Sequence, residues 1–446
     1  MSNRAGVCVL TILLLVGCVR QKDPYYCPGV NSNDNCAEDA GPIACTSNEP
    51  CREPTAVCDI TGSMTCVQCT PDQASACGGA TPACGEDRTC RACRAHAECP
   101  GSDACLPDGS CGDPGQIAYV QQGGTGTPPC TRGAPCGTLQ QGIDASRPYI
   151  KISAGTLADN ATTTIDGTAV TLLADPGAKL DRTGDGRILL VRSAGANVSI
   201  YDLEITGQTG LADEAIQLEP NGGAPALSLV RVKVTGNQGR GIATGGSLTV
   251  SQSSVSANQG GGISATGGSL TVSQSSVSAN TGGGISTSNG VTFDITNNLI
   301  FRNGNSTTAT VGGLSLAASA GANVFAFNTV VDNQVQNGAT IAGGILCDIP
   351  GFAAANNIIA RNFVNNDPNQ LNSNTNGLCT YPTSAVSPTV SDLNFVSPDN
   401  APHNYRIMRG SSAIDQATTP SNLSVDIDGD PRPQGNDRDQ GADEVL

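Results

Sequence analysis

Residues Gly245–Asn258 read GGSLTVSQSSVSAN, and Gly267–Asn280 read GGSLTVSQSSVSAN again. Fourteen residues recur unchanged at an offset of 22, and both copies run on into Gly-Gly-Gly-Ile-Ser, at 260–264 and 282–286. A unit this short cannot bury its apolar face alone and has to stack on neighbours like itself. Inside it apolar and polar residues alternate, as in Leu248-Thr-Val250. That is the period of a strand with one buried face, not of a helix.

Weaker copies extend the repeat in both directions. One aliphatic position recurs at Ile205, Val234, Val255, Val277, Ile300, Val330 and Ile359. Three residues after it, from the second unit on, stands an asparagine: Asn237, Asn258, Asn280, Asn303, Asn333, Asn362. A second apolar series follows a glycine run, at Ile242, Ile263, Ile285, Leu314 and Ile345. Helical repeats would show a 3.6-residue period, and leucine-rich repeats would show closely spaced leucines; neither is present. The remaining solution is all-β, a right-handed parallel β-helix in which each unit is one coil. The N-x-(x)-G-G-I turns and the N-N-x-I-x-x-N runs at Asn297–Asn303 and Asn357–Asn362 resemble the pectin-lyase-like superfamily of such proteins. Coils stack ~4.8 Å apart, so aliphatics meet aliphatics inside and asparagines form a ladder at a turn. Asparagine tolerates the left-handed backbone such corners need.

Gly numbers 55, Trp is absent and aromatics make up 3%, a profile suited to stacked turns. The net charge of −16 repels phosphate backbones, which excludes nucleic acid as a partner. At the N-terminus a short apolar run, Val7–Val16, leads into Leu15-Val16-Gly17-Cys18. This resembles the lipobox of bacterial lipoproteins. The resemblance implies cleavage after residue 17, acylation of Cys18, and a protein tethered to a membrane by its lipid. Val19 in place of Asp implies the outer membrane or cell surface. Residues 1–18 then form the signal and 19–44 a polar tether.

Twelve cysteines fall in three blocks of four: Cys45, Cys51, Cys58, Cys66; Cys69, Cys77, Cys84, Cys90; Cys93, Cys99, Cys105, Cys111. Residues 45–113 hold too few apolar side chains for a core and need covalent staples. Cys66-x2-Cys69 with Cys90-x2-Cys93 also has zinc-ribbon spacing; in an exported chain the disulfide reading takes precedence. Each block of four allows three connectivities. Cys27 with Cys36, Cys130 with Cys136 and Cys347 with Cys379 are outlying candidate pairs. The blocks resemble the EGF-like or dickkopf-like stalks that precede folded domains in bacterial surface lipoproteins.

The coil is expected over 114–400. Thr138–Ser146 reads as a short amphipathic helix with Leu139 and Ile143 on one face, suited to capping the first coil. Residues 401–446, with Gly410-Ser-Ser-Ala-Ile-Asp415 and Asp426-Ile-Asp-Gly-Asp-Pro-Arg-Pro433, resemble the C-terminal segment called the choice-of-anchor Q domain, and read as a second cap.

Candidate chemistry is sparse. Asp426, Asp428 and Asp430, with Asp437 at the twelfth position, have calcium-loop spacing. Pro431 stands where such a loop expects glycine, so a solvated acidic cap is the competing reading, and Ca²⁺ is the one cofactor considered. Phase alignment sets Asp202 against Arg231 and Glu204 against Lys233 on the outer face. That pattern suits a cross-strand charge ladder, or a carboxylate–basic groove of the kind polysaccharide lyases use. Longer loops at 207–215, with Asp213 and Glu214, at 304–311 and at 334–342 are the other places for a binding face. Only His96 and His403 exist, there is no Gly-x-Ser-x-Gly, and the Gly-His-Gly of polygalacturonase-type enzymes is missing. Taken together these features describe a cell-envelope lipoprotein whose β-helix binds a glycan or surface protein without catalysis. A polysaccharide lyase-like enzyme acting on acidic glycans is the alternative. The two identical coils, serine-rich and uncharged, are expected to be scaffold.

Overall fold

The computed structural model describes residues 44–318, 321–338, 341–370, 373–387, 390–418 and 421–445. Two compact units divide them: one runs to Cys93 with Asp108–Ser110, the other comprises Arg94–Pro107 and Cys111 onward. Cys18, Cys27 and Cys36 lie outside the described residues.

In the first unit Cys45 bonds Cys58 and Cys51 bonds Cys66, and the next block repeats this with Cys69–Cys84 and Cys77–Cys90. First joins third and second joins fourth. Each block carries one two-stranded antiparallel ribbon, Val57–Cys58 with Cys66–Val67 and Ala83–Cys84 with Cys90–Arg91. Cys93 and Cys105 are also disulfide-bonded. Sulfurs engaged this way are not thiolate ligands, so the zinc-ribbon reading does not describe the fold. Residues 94–107 pack with the coil: Ala104 and Leu106 lie against Ile117, Tyr119 and Leu173, and the Tyr119 hydroxyl donates to Ser102 O at 2.8 Å. In this unit Cys99 bonds Cys111, Cys130 bonds Cys136 and Cys347 bonds Cys379.

The duplicated block shows how the coil is built. Ser247–Ser251, Ser254–Ser256 and Ile263–Ala265 are the three strands of one coil; Ser269–Ser273, Ser276–Ser278 and Ile285–Thr287 are those of the next. Corresponding strands pair in parallel, which gives three long sheets of nine, ten and nine described strands. They are named here sheets A, B and C in the order the chain visits them. Both aliphatic series run in register: Ile205, Val234, Val255, Val277, Ile300, Val330 and Ile359 in sheet B, and Ile242, Ile263, Ile285, Leu314 and Ile345 in sheet C. All point inward and are at most 2% exposed.

The asparagine ladder is continuous. Asn237, Asn258, Asn280, Asn303 and Asn333 each donate a side-chain N–H to the Oδ1 of the next coil's asparagine, at 2.9–3.0 Å, as far as Asn362, which donates in turn to Asn374 Oδ1 at 2.9 Å. Those from Asn237 to Asn362 are wholly buried. These asparagines are not the left-handed residues, contrary to expectation. The residue before each one is: Gly236, Ala257, Ala279, Arg302, Asp332 and Arg361 all have φ between 47° and 70°. Turning the corner one residue early aims the asparagine inward, where its amide can serve two coils. A second ladder, at the corner from sheet A to sheet B, was not foreseen. It begins as serine and becomes asparagine: Ser253, Ser275, Asn298, Asn328, Asn357, then Ser384. It too is preceded by left-handed residues: Gln252, Gln274, Asn297, Phe327, Asn356 and Thr383. A left-handed residue other than glycine costs ~1–2 kcal/mol, which two ladders of buried hydrogen bonds offset.

The helix Leu139–Asp144, capped by the Thr138 hydroxyl, seats buried Leu139 and half-buried Ile143 against the first coils. No helix among the described residues is long and apolar enough to cross a membrane.

The ladder predicts its own cost. Asn280 accepts from Asn258 N and Nδ2 at 3.1 and 2.9 Å and donates to Val255 O and Asn303 Oδ1 at 2.9 Å. Asn280→Ala strands those buried groups and is expected to cost about 2–4 kcal/mol in urea unfolding. Ser254→Ala, on the outer face of the same sheet, should cost under about 0.5 kcal/mol; equal losses would contradict the ladder's role.

Candidate functional site

The outer face of sheet B changes character along the coil. One row of side chains in register reads Lys179, Glu204, Lys233, Ser254, Ser276, Leu299, Thr329, Ile358. Charge gives way to hydroxyls and then to apolar groups. From Leu299 onward the strands are buried on both faces, because the C-terminal segment lies over them. Tyr405, Ile407, Phe395, Leu393 and Ala442 pack on Leu299, Val331, Ile358 and Ala360.

The segment is a strap rather than an end cap, and it is held along the corner between sheets A and B. Five successive left-handed corner residues meet it. Gln274 donates to Asp426 O and Asn297 to Val425 O; Arg432 stands over the Phe327 ring at 4.7 Å; Gly441 donates to Asn356 O, and Gln440 to Thr383 O. Inside the strap Arg432 and Glu444 form an ion pair at 2.7 Å with no exposed surface.

Where the strap stops, a cleft of about 640 Å³ opens. Its floor is Ser254 and Ser276 of the duplicated coils, with Gln252 and Gln274 beside them. Arg231 and Lys233 stand at one side, Leu299 and Phe301 at the other, and His403, Arg406 and Asp428 come from the strap. The duplicated coils are therefore the floor of the cleft and not only scaffold. The predicted pairings hold in part. Asp202 receives the fork of Arg231 at 2.7 and 2.8 Å, and Arg231 also lies over the Tyr201 ring, 5.8 Å from its centroid. Glu204 is in register with Lys233 but binds Lys179, at 2.7 Å. Lys233 makes no ion pair with any described residue. Hydrogen bonding to Asp202 and to Asp428 holds Arg231 and Arg406 more firmly protonated than usual.

A second cleft, about 540 Å³, lies at the other corner of sheet B, lined by Arg302, Asp332, Gln334, Arg361, Phe363 and Asp399 among others. Asp332 accepts both arms of the Arg361 fork and the Tyr405 hydroxyl, and Arg361 also donates to Asp399 at 2.7 Å. Sequence reasoning passed over these residues, although a signal was there. Arg302, Asp332 and Arg361 each precede a ladder asparagine, so the phase alignment already stacked them. His403 and Arg406 carried no such signal, since only the strap's path brings them to the coil.

The remaining candidates lie elsewhere. Asp213 and Glu214 form an ion cluster with Arg187 and Arg240 at 3.6–3.8 Å on sheet C. The calcium-loop residues do not converge as predicted. Asp426 and Asp428 are joined by Asp443, their carboxylates within 4.8 Å of one another, whereas Asp430 and Asp437 are not part of the group. Asp426 is wholly buried and accepts N–H groups from Asp428, Asp430 and Glu444. Asp428 is held by Arg406. Those bonds make Asp426 the organiser of a turn.

Burial pushes Asp443 up to about 7 and Asp439 up to about 6, with the neighbouring Asp426 adding to the rise at Asp443. A raised carboxyl favours the neutral form in the folded state. Its stabilising contribution is full below the unfolded value of about 4 and is lost as pH climbs to about 7. Asp443→Asn should therefore flatten the stability of the strap across that window, measured as melting temperature against pH. An unchanged pH profile would count against the assignment.

Residues 188–393 match the family described as right handed beta helix region. No curated protein matches the chain. Among solved structures, the crystal structure of pectate lyase Pel9A is similar at 17% identity and a TM-score of 0.46, covering 74% of this chain and 96% of that one. A rhamnogalacturonan lyase is similar at 11% identity and a TM-score of 0.35, covering 64% of this chain and 91% of that one. The three parallel sheets and the family match together identify the fold as an all-β, right-handed parallel β-helix, with a disulfide-rich region before it.

Proposed function

We propose that this is a lipid-anchored protein of the bacterial cell envelope whose β-helix binds an extracellular acidic polysaccharide without cleaving it. The observation that carries the reading is the first cleft. Arg231, Lys233 and Arg406 surround an uncharged floor of hydroxyls and amides, on a chain whose net charge is −16. A basic cleft on an acidic surface focuses anionic ligands and turns away anions elsewhere. Serine and glutamine side chains then offer donors and acceptors to sugar hydroxyls. Calcium is not required by this reading.

The chemistry favours binding over elimination. An arginine can abstract a proton only when neutral, and Arg231, Arg406 and Arg361 are held protonated by their carboxylates. One observation keeps the lyase reading as the second choice: Lys233 lacks an ion-pair partner among the described residues and lines the cleft. His403 donates from Nδ1 to Pro398 O at 2.9 Å, which fixes its ring beside the same cleft.

Lys233→Ser extends the serine row by one coil and removes an exposed charge. It should weaken binding of polygalacturonate roughly fivefold, about 1 kcal/mol, with the wild-type affinity falling as salt rises. No unsaturated product should form with or without calcium; its appearance would establish the lyase instead, and salt-independent binding would remove the ionic basis of the reading. The anchor rests on Leu15-Val16-Gly17-Cys18 after an apolar run. Cys18→Ser should abolish incorporation of labelled palmitate and release the protein from membranes; retention on membranes without label would refute it.

A further inference from the structure

Resting on that reading, we infer that the second cleft is a further subsite for the same acidic polymer, so that one glycan chain crosses sheet B and occupies both clefts. Phe301 lines the first cleft and Arg302 the second, and consecutive residues are ~3.8 Å apart along the chain. Tyr405, from the strap, joins them. Its ring lies 4.9 Å from that of Phe301, and its hydroxyl is bonded to Asp332 in the second cleft. Both clefts have the size of ordinary ligand sites.

The second cleft holds two arginines and two aspartates, and both aspartates are turned toward one of the arginines, Arg361. Asp332 is saturated by Arg361 and Tyr405, and Asp399 is engaged by Arg361. Arg302 is exposed and makes no ion pair with any described residue. It is thus the cation free to meet a sugar carboxylate. Phe363 presents a half-buried ring as an apolar plate for a sugar face. Gln334, bonded to Asn366, supplies amide groups for hydroxyls. The ligand that fits is a linear polymer with an acid group on successive units, one meeting Lys233 and another meeting Arg302.

The test compares a short and a long oligogalacturonate, of three and eight units, by calorimetry on the full chain. The methyl-esterified octamer, which keeps the shape and loses the charge, serves as control. The octamer should bind on the order of tenfold tighter than the trimer, because its second half binds at high effective concentration. Arg302→Asn, which suits the left-handed backbone at that position, should remove this gain, bringing octamer affinity down to that of the trimer, and keep the melting temperature. Lys233→Ser should weaken both ligands, and the esterified octamer should show no gain over the trimer. Octamer affinity indifferent to Arg302→Asn overturns the second subsite and leaves the first cleft standing. Failure of the wild type to bind either charged ligand overturns both readings.

Discussion

Everything in this protein follows from one constraint: a coil can hydrogen-bond only to a coil that presents the same backbone at the same height. Parallel pairing in register fixes which side chains stack, and the buried asparagine ladder makes that register costly to change. Asn258 has its amide in Asn280, which has its amide in Asn303; a slip by one residue would strand these groups inside the coil. The left-handed residue before each asparagine belongs to the same device, since it turns the chain so that the amide faces inward.

Stacking has a second effect, on the outside. A residue placed at a corner or on an outer strand position is repeated as a column along the molecule, and a column is either exposed or covered over its length. The column of sheet A-to-B corner residues is covered by the strap from Gln274 to Thr383 and open at Arg231 and Gln252. The outer column of sheet B is apolar where covered, at Leu299 and Ile358, and polar where open, at Ser254 and Ser276. The clefts lie along the edges of that cover. Binding groups accordingly come from two sources: coil positions that the strap leaves free, and strap residues such as Arg406 that reach over the boundary.

Much of this was legible in the chain. The aliphatic columns and the main asparagine ladder could be read from spacing alone, and so could the facing of Asp202 with Arg231. The short helix over Leu139–Asp144 announced itself by Leu139 and Ile143 falling on one face. Less legible was anything depending on the strap. The run Asn297-Asn298-Leu299-Ile300-Phe301 has adjacent apolar residues, the mark of a strand buried on both faces, but nothing local says what covers it. The acidic spacing was legible only in part, for a related reason. Asp426 is drawn inward to bind backbone N–H groups, and its carboxylate neighbour, Asp443, comes from seventeen residues on.

The sequence by itself determined the coil, because a repeat that cannot bury its own apolar face has only its neighbours to stack on, and identical residues then fall in columns. Only the tertiary structure decided where the molecule is open. The strap crosses the coil by contacts between residues more than a hundred positions apart, such as Gln274 with Asp426 and Thr329 with Ala442. No periodicity records such contacts, since they occur once and join a repeat to a segment that does not repeat.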